Sequence, residues 1–150
     1  EGKEVSWMPA YGPEQRGGTA NVTVIVSDEP VSSPVLSAYD TAIILNQPSM
    51  YKFERMVKPG GTLIYDDFGI LEPPTRTDIH IHCVRAMRLA SEQRLAKCFN
   101  MVVLGSYLQV HPIVSLDSVM KALRKTLPER HHHLLPMNED AIRQGAQLIR

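Results

Sequence analysis

Only two cysteines occur in the 150 residues, Cys83 and Cys98, fifteen positions apart and with no CxxC pair. A four-ligand iron–sulfur cluster or a structural zinc site takes more thiolates than that. So few cysteines also fit a reducing compartment better than a disulfide-stapled secreted chain. A surplus of one charge is missing as well: 16 Lys and Arg balance 16 Asp and Glu. Such a chain has no electrostatic footprint for nucleic acid or for an anionic membrane. No apolar run approaches the roughly 18 residues of a membrane span, and Glu1-Gly2-Lys3-Glu4 does not read as a signal peptide. The expectation is a cytoplasmic protein with neither nucleic acid nor membrane as partner.

What remains is the composition of an ordinary α/β domain. Apolar residues make up 43% and charged residues 21%, and 150 residues suffice for one domain spanning 1–150. Gly2 stands just before the extended run Lys3–Pro9, as at a helix-to-strand junction. The expectation is therefore that an N-terminal strand–turn–helix is missing ahead of residue 1. Asn21–Val26 alternates Thr with Val and Ile and predicts a strand. Thr41–Asn46 predicts a strand buried on both faces, and Thr62–Tyr65 and Ile79–Val84 predict two more. Met50, Phe53, Met56 and Val57 form one stripe of a helix over Ser49–Val57, which Lys58-Pro59-Gly60-Gly61 is expected to stop. Helices follow from Ala86 to Ala96 and from Asn100 to Gln109, with Gly105 permitting close packing. Ser115 caps another, and Asn138 is expected to cap the last. This alternation predicts a three-layer α/β/α domain with a mixed or mostly parallel sheet.

The candidate site is the loop between the first two strands, with Tyr11, Gly12, Glu14, Arg16, Gly17 and Gly18. The glycines admit close backbone approach, and Arg16 offers a rigid fork for carboxylate or phosphate. A tight turn with a surface Glu14–Arg16 pair is the alternative. The other constellations have structural readings beside the chemical ones. His80 and His82 share a strand face and could touch one metal ion, or serve as exposed or hydrogen-bonded strand residues. His131-His132-His133 reads as a polar loop. Asp66 and Asp67 point to opposite faces, which favours a turn or capping role over paired acid–base work. Arg85, Arg88, Arg94 and Lys97 form a solvated helix face, or meet phosphates or an acidic subunit surface. Cys83 reads as a small core residue.

The run Tyr11-Gly-Pro-Glu-Gln-Arg-Gly-Gly-Thr-Ala20, preceded by Val5-Ser-Trp-Met-Pro9, resembles the signature of the gamma subunit of pyruvate- and 2-oxoglutarate:ferredoxin oxidoreductases. Further pieces match in order: Ser27-Asp28-Glu-Pro30 with Ser33-Pro34, Asp40–Asn46, Lys58–Gly61, Asn100–Gly105, and Asn138 with Ala141 and Gly145. The resemblance implies CoA-dependent oxidative decarboxylation of a 2-oxoacid on thiamine diphosphate, with 2-oxoglutarate favoured over pyruvate. Electrons leave through iron–sulfur clusters to ferredoxin. It implies alpha and beta subunits as partners, with delta as a further candidate, and no cofactor or activity for this chain alone. The loop Tyr11–Gly18 would then line the coenzyme A side or a subunit interface. An uncovered sheet edge would need a partner or a homodimer to hide it. A stand-alone nucleotide-binding α/β protein and a non-enzymatic interaction domain are the alternatives. GxGxxG and a nucleophile elbow are both absent from the sequence.

Overall fold

The computed structural model describes residues 1–12 and 20–149. These fall into two units, Glu1–Ser37 and Ala38–Arg150. The first is an antiparallel ribbon of β1 (Glu4–Tyr11) and β2 (Ala20–Ser27), in register from Glu4–Ser27 to Tyr11–Ala20. Lys3 pairs with Asp28 at its open end. Alternation along β2 made the strand legible, yet the apolar positions Val22 and Val24 face solvent.

The second unit is built on a parallel sheet in the order β3 (Tyr39–Ile44), β4 (Val57–Asp66), β5 (His80–Val84). The central strand shows how its layers arise. Leu63 and Ile64 are neighbours in β4 and both are fully buried. Successive side chains of a strand point to opposite faces, so each anchors a different core. Leu63 packs with Ala42, Ile44, Met50 and Val57, the Met50 coming from α1 (Gln47–Phe53). Ile64 packs with Val84 and with residues from α2 (Ala86–Glu92), α3 (Phe99–Val110) and α5 (Leu135–Ala146). Helices therefore cover both faces of a parallel sheet, as expected. α4 (Leu116–Thr126) has no fully buried residue, and Ser115 caps it by accepting from the Ser118 N–H at 3.1 Å.

The tightest packing is between α3 and α5. A Cβ built on Gly105 would collide with the carbonyl oxygen of Ile142, and one on Gly145 with that of Val102. The two glycines let the helix backbones touch, and the buried Ser106 hydroxyl donates across the seam to the Gly145 carbonyl at 2.8 Å. Gly105 thus has the packing role expected of it.

Several boundaries differ from the expectation. Lys58-Pro59-Gly60-Gly61 does not stop a helix; α1 ends at Phe53, a 3-10 turn covers Glu54–Met56, and β4 already starts at Val57. Tyr39 pairs with Val57 and Thr41 with Thr62, so Asp40 alone faces the four residues Lys58–Gly61. The strand bulges there, which needs the positive φ of Gly60 (74°) and the absence of a side chain at Gly61, hemmed in by the carbonyls of Lys58 and Asp40. Asn138 is not a cap either. α5 begins at Leu135 with Pro136 in its first turn, where a missing N–H costs nothing, and Asn138 instead donates to the Leu134 carbonyl at 2.8 Å. The three histidines of 131–133 lie in a 3-10 helix, Glu129–Leu134, rather than a loop. Cys83 is exposed rather than in the core: it lies on β5, an edge strand of the sheet as described, where packing covers less of the sheet face; Cys98 is the buried one.

Candidate functional site

Two places bear on function: the loop end of the ribbon and the carboxyl end of the parallel sheet. At the first, Tyr11 closes β1, is highly exposed, and pairs with Ala20, with Gly12 next to it. Glu14, Arg16, Gly17 and Gly18 lie outside the described residues.

The carboxyl end of a parallel sheet is where open α/β folds present ligands. Here polar residues with defined partners stand at or just past the ends of the strands: Asn46 after β3, Asp66 at the end of β4 and Arg85 after β5. Asn46, after β3, accepts from the Ser49 N–H at 3.0 Å and caps α1. An Asn three residues ahead of Ser49, with Pro48 opening the helix, is a cap signature that the strand reading passed over. Asp66 ends β4 and is 2% exposed. Its two carboxylate oxygens accept from the Phe68 N–H at 3.0 Å and the Met87 N–H at 2.8 Å. One carboxylate thus closes a turn and caps the first turn of α2, a structural role that removes it from acid–base work. Asp67 turns away and meets Arg85 at 3.4 Å. The capping reading of this pair holds, and the two carboxylates do not cooperate.

The connection from β4 to β5 carries only one 3-10 turn, Asp67–Gly69, and is pegged by α1 and the residues after it. Gln47 Oε1 accepts from the N–H groups of Leu71 (2.7 Å) and Glu72 (2.8 Å). Glu54 Oε1 accepts from those of Thr75 (2.6 Å) and Arg76 (2.9 Å). A Cβ on Gly69 would meet the Leu45 carbonyl oxygen at 2.6 Å, so glycine allows the loop to lie on the end of β3. This arrangement leaves Phe68 and Leu71 among the most exposed apolar side chains. Beyond β5, Arg85 and Arg88 are exposed and paired with Asp67 and Glu92, the latter at 3.0 Å. These pairs are solvated and cheap to break, so either guanidinium can turn to an incoming anion.

The titrating groups of the sheet are elsewhere. On one face, β5 register sets His80 beside Thr62 and His82 beside Ile64. His111, just past α3, approaches the buried Thr62 hydroxyl to 3.0 Å. Burial, then His80 and His111, hold the His82 imidazole below its ordinary range. Sequence reasoning missed His111, since nothing local ties residue 111 to residue 62. On the other face Tyr65 lies beside Cys83; burial first, then that thiol, push the phenol up to about 12. The phenol therefore keeps its proton at neutral pH and can donate but not act as a base. Among the described residues, no three His, Cys, Asp or Glu side chains converge as a metal set.

Residues 1–148, across both units, match the family described as pyruvate ferredoxin/flavodoxin oxidoreductase. The chain belongs to the pyruvate ferredoxin/flavodoxin oxidoreductase family. Its relatives in this family include ketoisovalerate oxidoreductase subunit VorA of Methanothermobacter thermautotrophicus, 34% identical over the whole of this chain and 31% of the relative. Another is 2-oxoglutarate synthase subunit KorC of Methanocaldococcus jannaschii, 31% identical over 86% of this chain and 70% of the relative. The chain thus spans about a third of the VorA protein but most of KorC. Among solved structures, the gamma subunit of a keto/oxoacid ferredoxin oxidoreductase from Geobacter sulfurreducens superposes with a TM-score of 0.80. That match covers 98% of this chain and 79% of the other at 24% identity, and is a likeness of fold.

Proposed function

We propose that the chain is the gamma subunit, or gamma-type part, of a 2-oxoacid:ferredoxin oxidoreductase, inactive alone and working in a cytoplasmic complex. The observation that carries this reading is the 31% identity to KorC over 70% of that subunit's length. In the complex, a 2-oxoacid is decarboxylated on thiamine diphosphate, the acyl group passes to coenzyme A, and electrons pass through iron–sulfur clusters to ferredoxin. Two cysteines, one exposed and one buried, do not make the donor set of a four-thiolate cluster. In this reading the clusters sit on other subunits and the thiamine site belongs to alpha and beta, with delta as a further partner. This chain's contribution is binding surface. The loop of Tyr11, Gly12, Glu14, Arg16, Gly17 and Gly18 lies against coenzyme A or a partner subunit, and Arg85 and Arg88 are additional phosphate contacts. The proposed substrate is 2-oxoglutarate ahead of pyruvate; the VorA relative, at 34% identity, supports ketoisovalerate as a second reading.

Co-expression with candidate catalytic subunits tests the reading. The expected result is a co-purifying assembly that reduces ferredoxin when given a 2-oxoacid and coenzyme A, with 2-oxoglutarate, pyruvate and ketoisovalerate compared side by side. Arg16→Lys in that assembly is expected to raise the KM for coenzyme A or lower subunit occupancy, since lysine lacks the bidentate fork. A chain that purifies alone from such cells, with full turnover in its absence, would remove it from the complex.

A further inference from the structure

The ribbon carries a face that its own unit does not cover. In an antiparallel ladder, directly paired residues share a face, so Val5, Trp7, Pro9 and Tyr11 of β1 stand beside Val26, Val24, Val22 and Ala20 of β2. All eight are apolar in the broad sense and none is charged. Val5 is 69% exposed, Trp7 70%, Tyr11 76%, Val22 53% and Val24 57%. From typical side-chain areas this face offers roughly 600 Å², the upper end of the patches that monomers leave open. Joining two such faces would bury about 1,200 Å², the threshold of a specific interface.

The relief of the face identifies what fits it. The β1 row is tall, led by Trp7 and Tyr11; the β2 row is short, with three valines and an alanine. Consider two ribbons stacked at the usual sheet separation of about 10 Å, related by a two-fold axis parallel to the strands. Each tall row then lies over the other's short row. Because the ladder is in register throughout, Trp7 falls on the partner's Val24, Tyr11 on the partner's Ala20, Val5 on the partner's Val26 and Pro9 on the partner's Val22. The bulkiest side chains meet the smallest, and no like charges are opposed. The Trp7–Val24 contact lies near the middle of the ladder. There the relative twist of packed sheets displaces it least, and interface energy concentrates at such central positions.

We propose that this ribbon face is a homodimer interface, in which a second copy of the chain packs its β1 row over this copy's β2 row to make a four-stranded β-sandwich. An isologous contact of this kind closes on itself and consumes both faces. It does not depend on the identity of the catalytic subunits.

Sedimentation velocity of the full chain across a wide concentration range tests this, with circular dichroism to confirm folding of each variant. The wild-type chain is expected to move from monomer to dimer as concentration rises. Trp7→Glu and, independently, Val24→Glu are each expected to weaken dimerisation by at least about 30-fold, the loss at a central hot spot. Mixing Trp7→Lys chains with Val24→Glu chains is expected to restore a dimer containing one of each, because only that pairing sets lysine over glutamate. A wild-type chain that stays monomeric at every concentration would overturn the proposal. So would a dimer indifferent to both substitutions, which would place the contact elsewhere. Failure of the charge-swapped pair to recombine would refute the tall-over-short register. A wild-type monomer whose capture of catalytic subunits is lost on Trp7→Glu would assign the face to those subunits instead.

Discussion

The ribbon and the parallel-sheet unit solve the same problem with different success. Among the described residues of Glu1–Ser37 none is fully buried, although β1 and β2 carry Trp, Met, Tyr and several branched aliphatics. Among the described residues, the buried core residues all lie in Ala38–Arg150, most of them in two clusters on the two faces of one sheet. A two-stranded ladder satisfies its backbone but has no second layer to remove its side chains from water, and such a hairpin is marginal by itself. A three-stranded sheet with helices on both faces can bury neighbouring strand residues that point opposite ways, as Leu63 and Ile64 of β4 do. Within this molecule, backbone pairing supplies shape in one unit and layered packing supplies stability in the other.

That contrast breaks first at the α3–α5 seam. Gly105→Ala places a methyl group against the Ile142 carbonyl oxygen, which belongs to backbone and cannot swing away. The expected cost is at least about 3 kcal/mol, the severe end of overpacking, against a total stability on the order of 5–15 kcal/mol. Urea unfolding should show a large fall in midpoint, and Gly145→Ala should do the same through Val102. A midpoint within experimental scatter of wild type would mean that the helices separate easily and that the seam is not the anchor of the unit.

Asp66→Ala comes next. It strips two N–H groups, at Phe68 and Met87, of their shared acceptor. Leaving a buried donor unpaired costs about 1–3 kcal/mol. Both N–H groups here are part-buried and water can reach them in part. A drop of about 1–3 kcal/mol in all is therefore expected, with Asp66→Asn recovering part of it through its remaining carbonyl oxygen. Equal loss in both variants would show that charge, rather than acceptor count, matters at this corner.

Acid sharpens the comparison because the sensitive group belongs to the sheet unit. His82 has its pKa lowered in the folded state from the ordinary 6.5. Between that value and the lower folded one the unfolded chain binds more protons, so stability falls as pH drops through this window and is level above it. His82→Gln should flatten that part of the profile. Melting temperatures of both chains across the acid range would check it, and parallel profiles would show that His82 is not the source of the acid sensitivity.

The smallest change is expected on the ribbon. Val22→Thr, at 53% exposure, should shift stability by no more than about 0.5 kcal/mol when measured at dilution low enough to keep the chain monomeric. A larger loss under those conditions would mean that this face is already covered within the monomer, and the contrast between the two units would fail.

Much of the architecture was legible because it is written locally. Alternation marked β2, the apolar run at 41–46 marked a central strand, and Ser115 marked the start of α4. Family resemblance was equally legible, since the run Tyr11–Ala20 and the later pieces keep their order along the chain. The candidate site was less so. Glycines and an arginine in one loop announce a contact surface without saying what touches it, and four of the six residues named there lie outside the described part.

Other features depended on residues far apart in sequence. Nothing near Lys58-Pro59-Gly60-Gly61 tells a helix stop from a bulged strand entry; pairing with Tyr39 and Thr41 decides it. Asp66 became a structural carboxylate only when the fold brought Met87 to it. Cys83, apolar by context, is exposed on edge strand β5, and only the fold shows that. Composition and periodicity by themselves determined most element types and the α/β class, because these arise from backbone preference and side-chain period within a few residues, while the family was legible as a resemblance carried by motifs in order along the chain. Which carboxylate is consumed by capping, which glycines are indispensable and which apolar face is left open were decided by tertiary structure, because each depends on a partner that only chain folding brings within contact distance.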